Sequence, residues 1–452
     1  MAIYTGCVEF LTPEGDGALK DVRGCVVSIP GTLPGENVTY RVEHVSPHDK
    51  RVWASCCEVL SQSRERRDPP CRSAYPTRGL CGGCPLMHLS DKLQGELKQK
   101  IVLDALHNAK INYIHEVPFM PSPVTLGYRN RTDLVAGIVK GRPILGSYEP
   151  RTHQIVITRV CPILRSPITQ AIEVCTNLMQ TQRIPVYEFG RNMKGALRYV
   201  SFFANDAGDL LMDIVTSSDA GQTPAWVNPF AFAMKNAFVL LKGVSYSLND
   251  SANNAIRVAP SKNVWGEATL VEHYGSIETR LSASGFTQLN SDMAAHIYRL
   301  GREWLGYRPD VLWDLYCGTG CFGRMVAPLK HLFGAEFNAR AIEIAKNVSQ
   351  NDAFNTSFEV MDLENQWPEH WPEPNVILVD PPRKGLSQCV LEHLAKLQHT
   401  TILYMSCYPT SFAKNIAYLD PHYEIEKIAA FDMMPQTRHV EVLALLKPRR
   451  VK

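Results

Sequence analysis

Val311-Leu312-Trp313-Asp314-Leu315-Tyr316-Cys317-Gly318-Thr319-Gly320 is the stretch that decides the fold of this chain. An apolar-rich run of this length reads as a buried strand. The glycines after it let the backbone turn sharply and approach a ligand closely before a helix begins. From about residue 284 onward, strand-like and helix-like runs alternate, which is the pattern of a doubly wound parallel sheet.

Three later strand ends carry acidic residues. His331-Leu332-Phe333 runs into Gly334-Ala335-Glu336, eighteen residues past Gly318, where a carboxylate can accept hydrogen bonds from ribose hydroxyls. Asp362, in Met361-Asp362-Leu363, stands where a third loop would address an adenine. Asn375-Val376-Ile377-Leu378-Val379 ends in Asp380-Pro381-Pro382-Arg383. Singly, each acidic residue reads equally well as a helix cap or a surface charge; their recurrence at successive strand ends points to a nucleoside cofactor. No third glycine arrives at dinucleotide spacing, so S-adenosylmethionine is favoured over NAD.

Thr401-Ile402-Leu403-Tyr404-Met405 closes in Ser406-Cys407-Tyr408-Pro409. A cysteine at the carboxyl end of a buried strand is offered to a substrate. Near the end of the chain, His439-Val440-Glu441 leads into the strand-like run Val442–Leu446. Uracil C5 is a poor nucleophile, and a thiolate adding to C6 makes C5 enolate-like and able to attack a methyl sulfonium. A base must then remove the C5 proton so that the enzyme can leave. Cys407 suits the first role and Glu441 the second, with His439 as a candidate helper; Cys175 and Cys389 sit in apolar helical patterns and read as core.

Upstream, the 452 residues are too many for one core, so two to four domains are expected. There is no eighteen-residue apolar run and no signal peptide, which makes a cytoplasmic protein without a membrane span the expectation. Thirteen cysteines in such a chain argue for metal, cluster or catalysis instead of a disulfide scaffold. The net charge of +2 conceals an asymmetry, because residues 61–160 carry fifteen Lys/Arg against eight Asp/Glu. Such a segment is the footprint of a polyanion-binding face or, more blandly, a solvated surface.

Residues 1–62 read as short alternating strands between glycine turns, fitting a five-stranded barrel of the oligonucleotide-binding type. Asp91 to Asn108 reads as a helix with Leu93, Leu97, Ile101, Leu103 and Leu106 on its apolar face, and residues 124–283 as a β-rich region. Cys71, Cys81 and Cys84 form C-x9-C-x2-C, and Cys161-Pro162 follows after 76 intervening residues. Four thiolates can hold zinc or a [4Fe–4S] cluster, and a triad with a distant fourth cysteine before proline suits the cluster better.

The chain resembles the RNA uracil-C5 methyltransferase family, in its branch with an N-terminal TRAM barrel and an iron–sulfur cluster. The resemblance runs nearly end to end. It rests on Gly285-Phe286-Thr287-Gln288-Leu289-Asn290, Asp314–Gly320, Asp380-Pro381, Ser406–Pro409 and Asp432-Met433-Met434-Pro435…His439-Val440-Glu441. It implies a TRAM barrel at 1–62, a cluster-bearing β domain from 68–92 and 124–283, and a Rossmann-like S-adenosylmethionine-dependent domain from 93–123 and 284–452. It further implies Cys407 as nucleophile, Glu441 as base, and Gln288, Tyr316, Glu336, Asp362 and Asp380 around cofactor and base. Phe286 would lie against the flipped uracil. Tyr128-Arg129-Asn130-Arg131 and Leu197-Arg198 are family-like pieces, and Arg129 and Arg131, alternating on an expected strand, suit phosphate contacts. The expected substrate is 23S ribosomal RNA, with a transfer-RNA T-loop uridine as the alternative, and the protein is expected to act as a monomer. A silent RNA-binding protein and a cytosine-C5 methyltransferase are the rivals. The sequence departs from the family pattern at Tyr408, where asparagine is usual, at Cys321, and at Met87.

Overall fold

The computed structural model describes residues 2–449 except 77–78, 112, 114, 151, 189–193, 253–254 and 398, so Thr77 and Arg78, between Cys71 and Cys81, lie outside the described residues. The chain divides into two compact units: Met1–Ile101 with Ser147–Val156 and Met434–His439, and Val102–Gly146 with Ile157–Met433 and Val440–Lys452. Among the described residues no helix is long and apolar enough to cross a membrane.

The first unit holds a six-stranded sheet in the order Ile3–Cys7, Asn37–Val45, Arg51–Ser61, Val26–Ile29, Gly17–Lys20 and Phe10–Leu11. Its two edge strands are consecutive in the chain and separated only by Val8-Glu9, so the sheet must curl back on itself. Val8, Val27, Ile29, Val38, Tyr40 and Val52 fill its interior. Six strands stand where the sequence suggests five, because the two-residue Phe10–Leu11 pairs with Gly17–Lys20. A second apolar cluster, Leu11, Leu33, Leu86, Leu89 and Leu97, seats the helix Asp91–Asn108. The buried stripe of that helix differs by one position from the expected one: Leu103 is 41% exposed and Val102 is buried instead. The reason is the four-residue step from Lys98, whose ammonium is held by the Met434 carbonyl, through Val102 to Leu106.

The second unit contains two sheets that matter for the site. One runs Ile155–Ile157, Arg142–Tyr148, Arg131–Val139, Leu197–Ala204, Leu210–Thr216, Leu241–Leu248 and Lys262–Gly266, covered by the helices Ser166–Thr181 and Val227–Ala237. Across it, Asp133, Ser201, Asp213 and Ser245 lie in register as a polar row, which Arg257 crowns through ion pairs to Asp133 and Asp213.

The other sheet has eight strands in the order Asn355–Val360, His331–Glu336, Val311–Leu315, Val376–Val379, Thr401–Ser406, Glu441–Pro448, Tyr423–Phe431 and Phe119–Met120. The first five are mutually parallel, and Glu441–Pro448 enters antiparallel to both of its neighbours. Val376–Val379 and Thr401–Ser406 are buried at every residue, as expected of parallel strands covered on both faces by helices. The Rossmann-like α/β reading of this region agrees with that order.

Candidate active site

The site lies at the carboxyl ends of the parallel strands, and register explains why. Thr401–Ser406 pairs with Glu441–Pro448 from Ile402↔Leu446 to Ser406↔Val442, so Cys407 and Glu441 stand at the adjoining ends of the paired strands, close enough for the Glu441 carboxylate to act on the Cys407 thiol. The strand ends at Cys407 because Pro409 occupies the first turn of the next helix, Pro409–Leu419. Two serines pin the bend: the Ser406 hydroxyl accepts from the Tyr408 N–H at 3.3 Å, and the Ser411 hydroxyl donates to the Tyr408 carbonyl at 3.0 Å.

Burial pushes the Cys407 thiol up to about 12, helped by the Glu441 and Asp380 carboxylates and opposed by the Arg383 guanidinium. Glu441, 3% exposed, is held well above the ordinary carboxyl range by burial and then by Asp380. Asp380, one residue beyond Val376–Val379, is raised to about 7 by burial and Glu336, and accepts from Gln288 Nε2 at 3.3 Å. This is a thiol, a base and a third acid held in one low-dielectric place. Any positive charge entering it favours the ionised forms of all three.

Beside them lies the glycine turn. Tyr316 adopts φ +63°, Gly318 φ +53° and Gly320 φ +77°. Glu336 ends its strand with one carboxylate oxygen accepting from the Gly318 N–H at 3.3 Å and the other from the Asn338 N–H at 2.9 Å. A Cβ on Gly320 would strike the Phe358 ring at 2.8 Å, whereas a Cβ on Gly318 would meet no atom within 4 Å. Gly320 is therefore required by packing, and Gly318 faces open space of the kind a cofactor fills. Asp362 follows Asn355–Val360, with its carboxylate accepting locally from the Glu364 N–H and Asn365 Nδ2.

Asp314, part of the stretch quoted for the glycine turn, was given no role of its own by the sequence. It is buried in the strand before the glycine turn, accepts from the Gly323 N–H at 3.0 Å, and is raised to about 8 by burial. The signal was present as a lone acid inside an apolar strand. A carboxyl whose folded pKa lies above its unfolded one keeps its proton longer when folded, so it loses stability as pH climbs between those values. Relative to Asp314→Asn, the wild type should therefore lose thermal stability progressively from pH 5 to pH 8. Parallel melting curves of the two proteins over that range would show that Asp314 ionises normally.

Other expected residues stand differently. Phe286 is 74% exposed, on the loop that Gln288 ties to Asp380. His439 stands two residues before the strand Glu441–Pro448. Cys175 is buried, whereas Cys389 is only partly so. Arg131 is not displayed for phosphate: its side chain is 11% exposed and lies 3.5 Å from Asp133. Arg129 is half-buried, with Nε donating to the Arg131 carbonyl at 2.8 Å. Arg198 is buried too, bonded to Asn249 and the Ser251 carbonyl, its guanidinium 4.7 Å from the Tyr187 ring centroid. Arg131 opens a strand as expected, whereas Arg129 stands before it in an isolated bridge to Leu164, and neighbouring acids and carbonyls cover these side chains.

Cys71, Cys81 and Cys84 lie on a loop of the first unit closed by backbone bonds from the Cys81 N–H to the Ser73 carbonyl and from the Tyr75 N–H to the Cys81 carbonyl. Cys161 belongs to the second unit. Among the described residues no three Cys, His, Asp or Glu side chains are gathered closely enough to hold a metal. Thiolates are the right chemistry for a cluster, and three of the four stand on one loop of the first unit.

Fold and site together define a class, α/β proteins with a reactive site at the carboxyl edge of a parallel sheet. Residues 371–449 match the family model described as tRNA (uracil-5-)-methyltransferase. The chain is 31% identical over 453 residues to an uncharacterized RNA methyltransferase of Caldanaerobacter subterraneus subsp. tengcongensis, covering 98% of both. It is 30% identical over 458 residues to one of Staphylococcus aureus, covering 98% of this chain and 97% of the relative. Among solved structures, the Pyrococcus abyssi tRNA (uracil-54, C5)-methyltransferase in complex with S-adenosyl-L-homocysteine superposes with a TM-score of 0.75 at 25% identity, covering 98% of this chain and all of that one. The chain belongs to the RNA (uracil-5-)-methyltransferase family and is an RNA methyltransferase.

Proposed function

We propose that this protein methylates C5 of one uridine in structured RNA, with S-adenosylmethionine as methyl donor, through a covalent bond between Cys407 and C6. The observation that carries it is Cys407 and Glu441 at the adjoining ends of two paired strands, with the open turn at Gly318 at the same edge of the sheet. The Pyrococcus protein supports the cofactor, since it was solved with S-adenosyl-L-homocysteine.

The cofactor, when bound, supplies an electrophilic methyl group on a sulfonium. Gly318 and Glu336 would hold its ribose side, with Tyr316 and Asp362 flanking. Cys407, its proton lost to solvent, adds as thiolate to C6 and places the electron pair on C5; C5 would take the methyl group as that group's bond to sulfur breaks and leaves its electron pair on the sulfur. Glu441 then removes the C5 proton, and the returning electron pair expels the Cys407 thiolate. Gln288 and Asp380 address the polar edge of the base and Phe286 its face; the base must leave its stack for any of this to happen. Gly318→Val places a side chain in the open space at a positive φ, so S-adenosyl-L-homocysteine affinity measured by calorimetry should fall at least about tenfold.

In this reading residues 1–62 form a TRAM-type RNA-binding barrel, 68–92 with 124–283 a second RNA-binding domain, and 93–123 with 284–452 the catalytic domain, working as a cytoplasmic monomer. Cys71, Cys81, Cys84 and Cys161 are the donor set it would offer a [4Fe–4S] cluster. No catalytic step uses one, and iron and sulfide assay of anaerobically purified protein tests its presence. The resemblance favours 23S ribosomal RNA as substrate, while the Pyrococcus enzyme's action on transfer RNA favours the second reading. Labelled S-adenosylmethionine with bulk RNA lacking 5-methyluridine decides. Label as 5-methyluridine in large ribosomal RNA supports the first, label in transfer RNA the second, and no label in either overturns both.

A further inference from the structure

The residue after the nucleophile has no part in the chemistry above, yet it is displayed. Tyr408 is 43% exposed, although Cys407 before it is partly covered and Pro409 after it is buried. Its backbone is fixed by Ser406 and Ser411. The Arg383 guanidinium carbon stands 5.6 Å from the centre of the Tyr408 ring. Arg383 comes three residues after Asp380, the acid that Gln288 contacts, so it belongs to the same rim of the site.

We propose that Tyr408 and Arg383 form a stacking platform for the nucleobase adjacent to the flipped uridine, and so set the sequence context in which this enzyme accepts its target. This rests on the uridine-methylation reading. Extruding one base strips its neighbour of a stacking partner, and an aromatic ring held beside the nucleophile replaces it. Every base has a π-face, so a tyrosine serves where a small polar residue cannot, and stacking of one base on an aromatic side chain is worth about tenfold in affinity. A guanidinium over the ring adds a planar cation that can both stack and meet the neighbouring phosphate. Phe286, on the loop tied to Asp380, remains for the target base itself.

The test uses the RNA fragment carrying the uridine that the wild type methylates, alongside versions lacking the base on the 5′ or the 3′ side of it. Tyr408→Asn should weaken binding of the intact fragment about tenfold, and Tyr408→Phe should restore it. Removing one flanking base should cost the wild type a similar factor and cost Tyr408→Asn nothing further, because the two changes delete the same contact. Unchanged affinity of a Tyr408→Asn protein that melts like the wild type overturns the platform. So do losses that add, or a loss in kcat with unaltered RNA affinity, which would make the ring a support for Cys407. A wild type that methylates no RNA would fail the underlying reading instead, and the platform with it.

Discussion

Cys407→Ala should abolish methyl transfer to RNA, by at least about 10⁴-fold, while binding of S-adenosyl-L-homocysteine persists. The expected loss is this large because C5 has no carbanion character until C6 is attacked, and no neighbouring group can replace the thiolate. The substitution removes one sulfur from a partly covered position at the end of Thr401–Ser406, so the strand and the helix behind it should survive. Single-turnover transfer of a labelled methyl group is the measurement. Residual transfer within a hundredfold of the wild type would exclude a covalent route through Cys407 and redirect attention to chemistry without a nucleophile.

Glu441→Gln should slow turnover by about 10²–10⁴-fold and leave a methylated RNA bound covalently to the protein. With the C5 proton in place, the bond from Cys407 to C6 cannot be expelled, so the intermediate accumulates and survives a denaturing gel. Volume and burial are nearly conserved, and the amide lacks the carboxylate whose charge raises the Cys407 thiol. Addition should therefore remain possible while elimination fails. The opposite pattern, an inactive variant with no gel-stable adduct, would assign Glu441 to an earlier step and leave the base to be found among Asp380 and bound water.

Much of the site was legible because the chemistry needs few residue types at strand ends. The glycine turn, the acid at Glu336 and the cysteine at 407 each stand where an apolar run stops, and a run that stops at a reactive residue is visible without coordinates. The basic residues show the limit. Arg131 and Arg198 occupy strand positions with the alternation expected of a nucleic-acid face, yet their charges are met by Asp133 and by Asn249. Period two tells which residues share a face of a strand, and it does not tell what covers that face. Leu103 and Val102 make the same point on a helix, where a one-residue shift of the buried stripe follows from the seat of Lys98.

The sequence by itself determined the α/β region, its glycine turn and the two residues proposed as nucleophile and base, since these depend on local runs and on chemistry that admits few substitutes. Only the tertiary structure decided that Glu441 adjoins Cys407. Glu441–Pro448 inserts antiparallel between Thr401–Ser406 and the strand that precedes it in the chain, Tyr423–Phe431. Strand order and register arise from which hydrogen-bonding edges meet, a non-local property that no local run of residues encodes.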